Sequence, residues 1–151
     1  MKAVIQRVKG ATLSVEDNVV AQIGRGLVVY VGVEQTDVEA DAVAMCKKIS
    51  MMRIFSDDAG KMNLSVIDIG GEILMVSNFT LCADISHGNR PSFSLAMRPA
   101  VQAKSMFDYC VDVMRDLLRA AGLSDNVKSG VFGADMLIDQ ANDGPVTIIY
   151  P

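Results

Sequence analysis

Gly24-Arg25-Gly26-Leu27-Val28-Val29-Tyr30-Val31 is the stretch on which the fold reading turns. Leu27 to Val31 is an unbroken apolar run, as expected of a buried strand. The two glycines ahead of it resemble the start of a dinucleotide-binding loop. That loop needs a third glycine and must open a helix, and here a strand follows, so Gly24-Arg25-Gly26 reads as a hairpin turn. Upstream, Lys2 to Val8 is β-rich, and Ala11 to Val15 and Val19 to Ile23 flank an Asp17-Asn18 turn, so the first third reads as antiparallel sheet.

Downstream, Thr36-Asp37 opens a predicted helix that runs to about Met52. Asp37 is its expected cap, and Val38, Ala42, Met45, Cys46 and Ile49 recur at helical spacing. Arg53 to Ser56 reads as a short strand, Asp57 to Asn63 as a polar turn, and Glu72 to Val76 as a buried strand. Arg98-Pro99-Ala100 starts the longest predicted helix, which ends at Gly122. Met106, Phe107, Cys110, Val113, Met114, Leu117, Leu118 and Ala121 form its apolar face; Asp108, Asp112, Arg115, Asp116 and Arg119 form the wet one. Strands are expected near Val127–Phe132, Met136–Gln140 and Val146–Tyr150. The order does not alternate as a parallel doubly wound sheet would. It predicts an α+β fold, a single domain over residues 1–151, with two long helices packed on a mainly antiparallel, barrel-like sheet.

The 151 residues are 50% hydrophobic and 21% charged, as in an ordinary globular protein. A chain of this size buries roughly 70% of its unfolded surface, enough to need neither disulfide nor metal. The three cysteines, Cys46, Cys82 and Cys110, are odd in number and widely spaced, without C-x-x-C or a Cys/His cluster. That excludes a disulfide framework and a zinc site. No apolar run approaches a membrane span and no signal core follows the N-terminal charge, so a cytoplasmic location is expected. The net charge of −4 runs against a simple nucleic-acid binder.

The single histidine, His87, limits the catalytic options. A Ser-His-Asp or Cys-His device would have to use it, yet it sits in a polar loop with no G-x-S-x-G elbow. No H-E-x-x-H, P-loop or EF-hand pattern is present, so neither metal nor nucleotide cofactor is expected. Two other segments stand out. Ser77-Asn78-Phe79-Thr80-Leu81 puts hydroxyl and amide side chains at the exit of an apolar strand. Asn142-Asp143-Gly144-Pro145-Val146-Thr147 reads as a turn leading into the last strand. Taken alone, each suits a strand end or a turn as well as a site.

Together, in this order, the two segments resemble the Ser-Gln-x-x-Leu and Asn-x-Gly-Pro-x-Thr motifs of the D-aminoacyl-tRNA deacylase family. The resemblance extends to Ala3-Val4-Ile5-Gln6-Arg7-Val8, to Gly88-Asn89-Arg90-Pro91-Ser92-Phe93 and to Gly130-Val131-Phe132-Gly133-Ala134-Asp135-Met136, so it is collinear over the whole chain. It implies a homodimer that hydrolyses the ester of D-aminoacyl-tRNA and of mischarged glycyl-tRNA. It also implies a cis Gly144-Pro145 bond inserted into the partner's active site as a filter that rejects L side chains. The ribose 2′-hydroxyl of the tRNA would help activate water. Backbone N–H groups around Phe79 and Thr80 would hold the oxyanion, and the Ser77 and Thr80 hydroxyls would orient the ester. Thr80 as a covalent nucleophile stays open as the alternative, as do a binding module without turnover and a hydrolase using Cys82 or Thr80 with His87. Asn142, Gly144, Pro145, Val146 and Thr147 are the expected substrate contacts. Arg7, Arg90, Arg98 and Lys128 are candidates for a basic rim, and Phe132 and Met136 for an adenine platform. One departure stands out: the family motif has Gln where this chain has Asn78, which shortens that side chain by one methylene.

Overall fold

The computed structural model describes residues 1–151. Strand β1 (Lys2–Val15) is continuous where two strands were expected, and it is the spine of the molecule. One edge pairs with β3 (Gly26–Gly32) through Lys2–Val8 and with β2 (Asn18–Ile23) through Ala11–Val15. The other edge pairs almost end to end with β8 (Leu137–Tyr150), and this second ladder carries the strand across Lys9-Gly10 without a turn.

The central sheet is mixed. β6 (Glu72–Ser77) lies parallel to β3, and β7 (Val127–Ser129) lies parallel to β6, whereas every ladder of β1 is antiparallel. Parallel neighbours require crossovers, and the two helices supply them. α1 (Glu39–Ser50), with the small hairpin of β4 (Phe55–Ser56) and β5 (Met62–Leu64), spans β3 to β6; α2 (Ala100–Ala120) lies between β6 and β7. The result is the predicted α+β architecture, two helices packed on a nearly closed barrel-like sheet. The continuous apolar run of β3 now has its reason: flanked by β1 and β6 and covered on both faces, it has no solvent side to alternate toward. Gly26 is required by the same packing, because a Cβ there would stand 1.8 Å from the Glu72 carbonyl oxygen.

The larger apolar cluster lies between sheet and helices and takes Ile5, Leu27, Val29 and Met75 together with Phe107 and Met114. A smaller one on the opposite face takes Val8, Leu13, Val28, Leu74 and Val76. β1 thus serves the first cluster with Ala3 and Ile5 and the second with Val8, Ala11 and Leu13. The change of face coincides with the register shifts against β8 around Val8, as expected where a bulge re-aims a strand.

Three sequence expectations are corrected. α1 begins at Glu39 and Val38 occupies its cap position, with the Val38 N–H donating to Asp41. Asp37 is instead buried and accepts from the Glu34 N–H and the Met1 amino group, a tertiary role that outranks a local cap. β7 ends at Ser129, short of Phe132. Asn142-Asp143-Gly144-Pro145 is an excursion within β8 and not a turn between strands, because β1 continues alongside and holds both of its ends.

Candidate active site

β6 is apolar through Val76 and then meets Ser77-Asn78, where the ladder stops and Phe79–Cys82 turn as a short 3-10 helix. Asn78 caps that turn: its Oδ1 accepts from the Thr80 N–H at 3.2 Å and also from the Thr80 hydroxyl. The shortened amide therefore closes a local Asx turn. The Leu81 and Ala83 N–H groups are taken up inside the same turn, whereas the Phe79 N–H donates to no group of the chain. Of the two backbone donors singled out from sequence, only that of Phe79 is unengaged.

This turn borders a cavity of about 900 Å³ on the face of the smaller core. Ser77, Asn78, Phe79 and Thr80 line it, and so do Phe132 and Met136, brought in by the segment before β8. Six of the expected residues thus converge although roughly a third of the chain separates the two groups. Phe132 also packs on Phe107, with ring centroids 6.2 Å apart, so it is both core and lining. Phe79 is 58% exposed at the mouth and meets Phe93 edge-on at 5.0 Å. Tyr30 forms part of the lining, and burial raises its phenol pKa above the ordinary 10.0.

The basic rim does not assemble as expected. Arg98 lines the cavity beside the start of α2, whose first turn has no side-chain cap. Arg90 is exposed in the segment between the 3-10 turn and α2, and Lys128 lies on β7 beside a different depression. Arg7 is only 11% exposed and is held on several sides. Its Nε lies 3.0 Å from the Asp143 carboxylate, its Nη1 donates to the Ile54 carbonyl at 2.6 Å, and its guanidinium stands 6.0 Å from the Phe55 ring centroid.

Asn142, Gly144, Pro145, Val146 and Thr147 do not line the cavity of their own chain. Gln6 pairs with Thr147 and Val8 with Asn142, so the four residues Asp143 to Val146 stand opposite Arg7 alone. The surplus bulges outward, leaving Gly144 and Pro145 exposed. The Gly144–Pro145 bond is cis, as is Arg98–Pro99. Gly144 has φ +126°, and a Cβ there would lie 2.7 Å from the Val146 nitrogen, so no other residue fits.

The remaining candidates stay apart from the cavity. Cys82 is fully buried with its thiol toward the Val33 carbonyl, and burial, with Glu34 nearby, pushes its pKa up. His87 is exposed in the loop, and neither residue lines the cavity. No group of three or more His, Cys, Asp or Glu side chains is placed to hold a metal ion, and no helix is long and apolar enough to cross a membrane. Sequence reading missed Tyr30, which counted only as part of a strand, and the neighbours of Arg98 in the lining, Ala96, Met97, Pro99, Ala100 and Ala103; a lone tyrosine in an apolar run gives no local signal.

Fold and cavity together describe a small barrel-like α+β domain with a cleft walled partly by hydroxyl and amide side chains. The chain belongs to the D-Tyr-tRNA(Tyr) deacylase family, whose sequence pattern matches residues 4–151. It is 49% identical over 148 residues to the D-aminoacyl-tRNA deacylase of Deinococcus deserti, covering 98% of this chain and 97% of that protein. It is 48% identical over 149 residues to the D-aminoacyl-tRNA deacylase of Geobacter sulfurreducens, covering 99% and 93%. Among solved structures, one described as a c-Myc DNA unwinding element binding protein superposes with a TM-score of 0.93 at 39% identity, covering 100% of this chain and 98% of that one. Another, described as a probable eukaryotic D-amino acid tRNA deacylase, gives 0.83 at 17% identity over 99% and 97%, a likeness of fold.

Proposed function

We propose that the chain hydrolyses the ester of D-aminoacyl-tRNA, and of mischarged glycyl-tRNA, releasing free tRNA and the D-amino acid or glycine as a translation quality-control step in the cytoplasm. The observation that carries this reading is the separation of its two motifs. The cavity offers an unengaged Phe79 N–H beside hydroxyl groups, while the exposed Gly144-Pro145 corner forms no part of that cavity's lining. An exposed corner that stands outside the lining of its own chain's cavity has a use when a second copy of the chain receives it, so the active form is a homodimer with two shared sites.

In this arrangement water attacks the ester carbonyl and the Phe79 N–H receives the developing oxyanion. The 3′-oxygen of the terminal adenosine departs, with the neighbouring 2′-hydroxyl passing the proton from water to it. An aminoacyl ester is an activated acyl compound, so a positioned donor worth about 2.7–4 kcal/mol of barrier, together with orientation, replaces a protein base. The Ser77 and Thr80 hydroxyls orient the ester. The partner's corner crowds the α-carbon on the side where an L side chain would project and leaves hydrogen or a D side chain room, which is selection by rejection. Phe132 and Met136 offer an apolar surface to the terminal adenine. Arg98 and the uncapped start of α2 place positive potential at the rim for a phosphate, enough for the acceptor end of an otherwise acidic protein's substrate.

Purified protein incubated with matched D- and L-aminoacyl-tRNA tests the reading. Rapid loss of the D ester and of glycyl-tRNA, with the L ester intact, is expected. The relative described as a DNA unwinding element binding protein motivates a second reading, nucleic-acid capture without turnover; retention of both esters alongside measurable tRNA binding would establish that one instead.

A further inference from the structure

The excursion of β8 has lost its ladder partners, so something else must hold it. Its two feet are Asn142 and Thr147, and each foot meets a side-chain amide. Gln140 Nε2 donates to Asn142 Oδ1 at 2.8 Å and to Gln6 Oε1 at 2.6 Å, while Gln6 Nε2 reaches Thr147 Oγ1 at 3.5 Å. On its other side Gln140 Oε1 accepts from the Tyr30 hydroxyl at 3.0 Å. Both amide hydrogens of Gln140 and its carbonyl are therefore occupied. Turning the amide over would set its oxygen against two acceptors, so its orientation is dictated by its neighbours. Tyr30 in turn is among the residues that line the cavity, and burial raises its phenol pKa, which keeps it a donor.

We infer that Tyr30 and Gln140 are positioning residues, forming with Gln6 a side-chain relay that ties the lining of the cavity to both feet of the Gly144-Pro145 corner. The relay rests on the function proposed above. In a dimer where the corner serves the neighbouring site, it sets the corner's height and angle relative to the protomer that carries it. Its removal should blunt the rejection of L esters more than it slows cleavage of D esters, because rejection depends on sub-ångström placement of backbone whereas the Phe79 donor lies on another element.

Two conservative variants test it in the full chain. Tyr30→Phe keeps the ring at the cavity and deletes one oxygen. Gln140→Glu keeps an acceptor for Tyr30 but removes both donors, the one to the Asn142 foot and the one to Gln6. Each is expected to lower the D-over-L ratio of kcat/KM by about tenfold, the equivalent of one lost hydrogen bond, with kcat for the D ester changed by less than about threefold. In parallel, Tyr30→Phe should shift the NMR resonances of the Asn142 side-chain amide and of the Gly144 and Val146 backbone amides. A wild-type D-over-L ratio in Tyr30→Phe, or resonance changes that stop at Gln140, would overturn the relay. Failure of wild-type protein to discriminate at all would overturn the proposed function, and the resonance measurement would then still decide whether the relay exists.

Discussion

The Asn78 amide oxygen accepts from Thr80 twice, once from the backbone N–H and once from the hydroxyl. Both polar groups of Thr80 are thereby directed to a neutral amide that cannot take a proton, a poor setting for a nucleophile. Thr80→Ala should retain turnover of the D ester, with kcat lowered about tenfold as one orienting hydrogen bond is lost. Steady-state kinetics on the folded variant check this; complete loss of turnover with tRNA binding intact would make Thr80 the nucleophile.

Arg7 and Asp143 should be inseparable in their effect on stability. Arg7→Ala leaves Asp143 unpaired and the Ile54 carbonyl without its donor, and is expected to cost about 2–4 kcal/mol in urea unfolding. Arg7→Lys should recover only part of this, since an ammonium cannot reach the carboxylate and the carbonyl together with a planar fork.

Gly26→Ala is a test of the fold without touching the cavity. With the Glu72 carbonyl oxygen 1.8 Å from the added methyl position, β3 and β6 would have to separate. The expected loss is about 3 kcal/mol or more, read as a fall in Tm of well over 5 °C.

The three thiols should be silent in the native protein. Cys46, Cys82 and Cys110 are all fully buried. The Cys46 thiol donates to the Cys110 carbonyl, and its interaction with the Cys110 side chain, together with burial, pushes its pKa up. A thiol-exchange dye at pH 8 should label none of them until urea unfolds the chain, then all three; labelling in native buffer would contradict this burial.

Asp84 and Asp68 give the acid limb of stability a local origin. Hydrogen bonds from the Ser86 hydroxyl and N–H hold the Asp84 carboxyl below its ordinary 3.8, and those from Ser65 do the same for Asp68. A folded pKa below the unfolded one means that the contribution is present above pH 3.8 and disappears as pH falls through the lower, folded value. Both turns should therefore hold at pH 5 and loosen only below about pH 3.8, which the Ser86 and Ser65 amide resonances would report on titration.

Much of this protein was readable along the chain. The run Leu27–Val31 announces a strand with no wet face, the heptad-like spacing of Phe107, Cys110, Met114 and Leu118 announces the face α2 buries, and the pairing of Ser77–Leu81 with Asn142–Thr147 announces a family. These are local signals, set by side-chain periodicity and by residue types at fixed offsets. Other features required the tertiary structure, because they depend on what lies opposite. Whether Asn142–Pro145 turns or bulges is decided by β1 continuing alongside it, and whether Arg7 meets solvent or Asp143 is decided by that bulge. That β6 runs parallel to β3, and that Tyr30 reaches Gln140 across 110 residues, follow from chain crossings that no window of sequence contains. Contacts between segments distant in sequence set these outcomes, and local propensity carries no record of them.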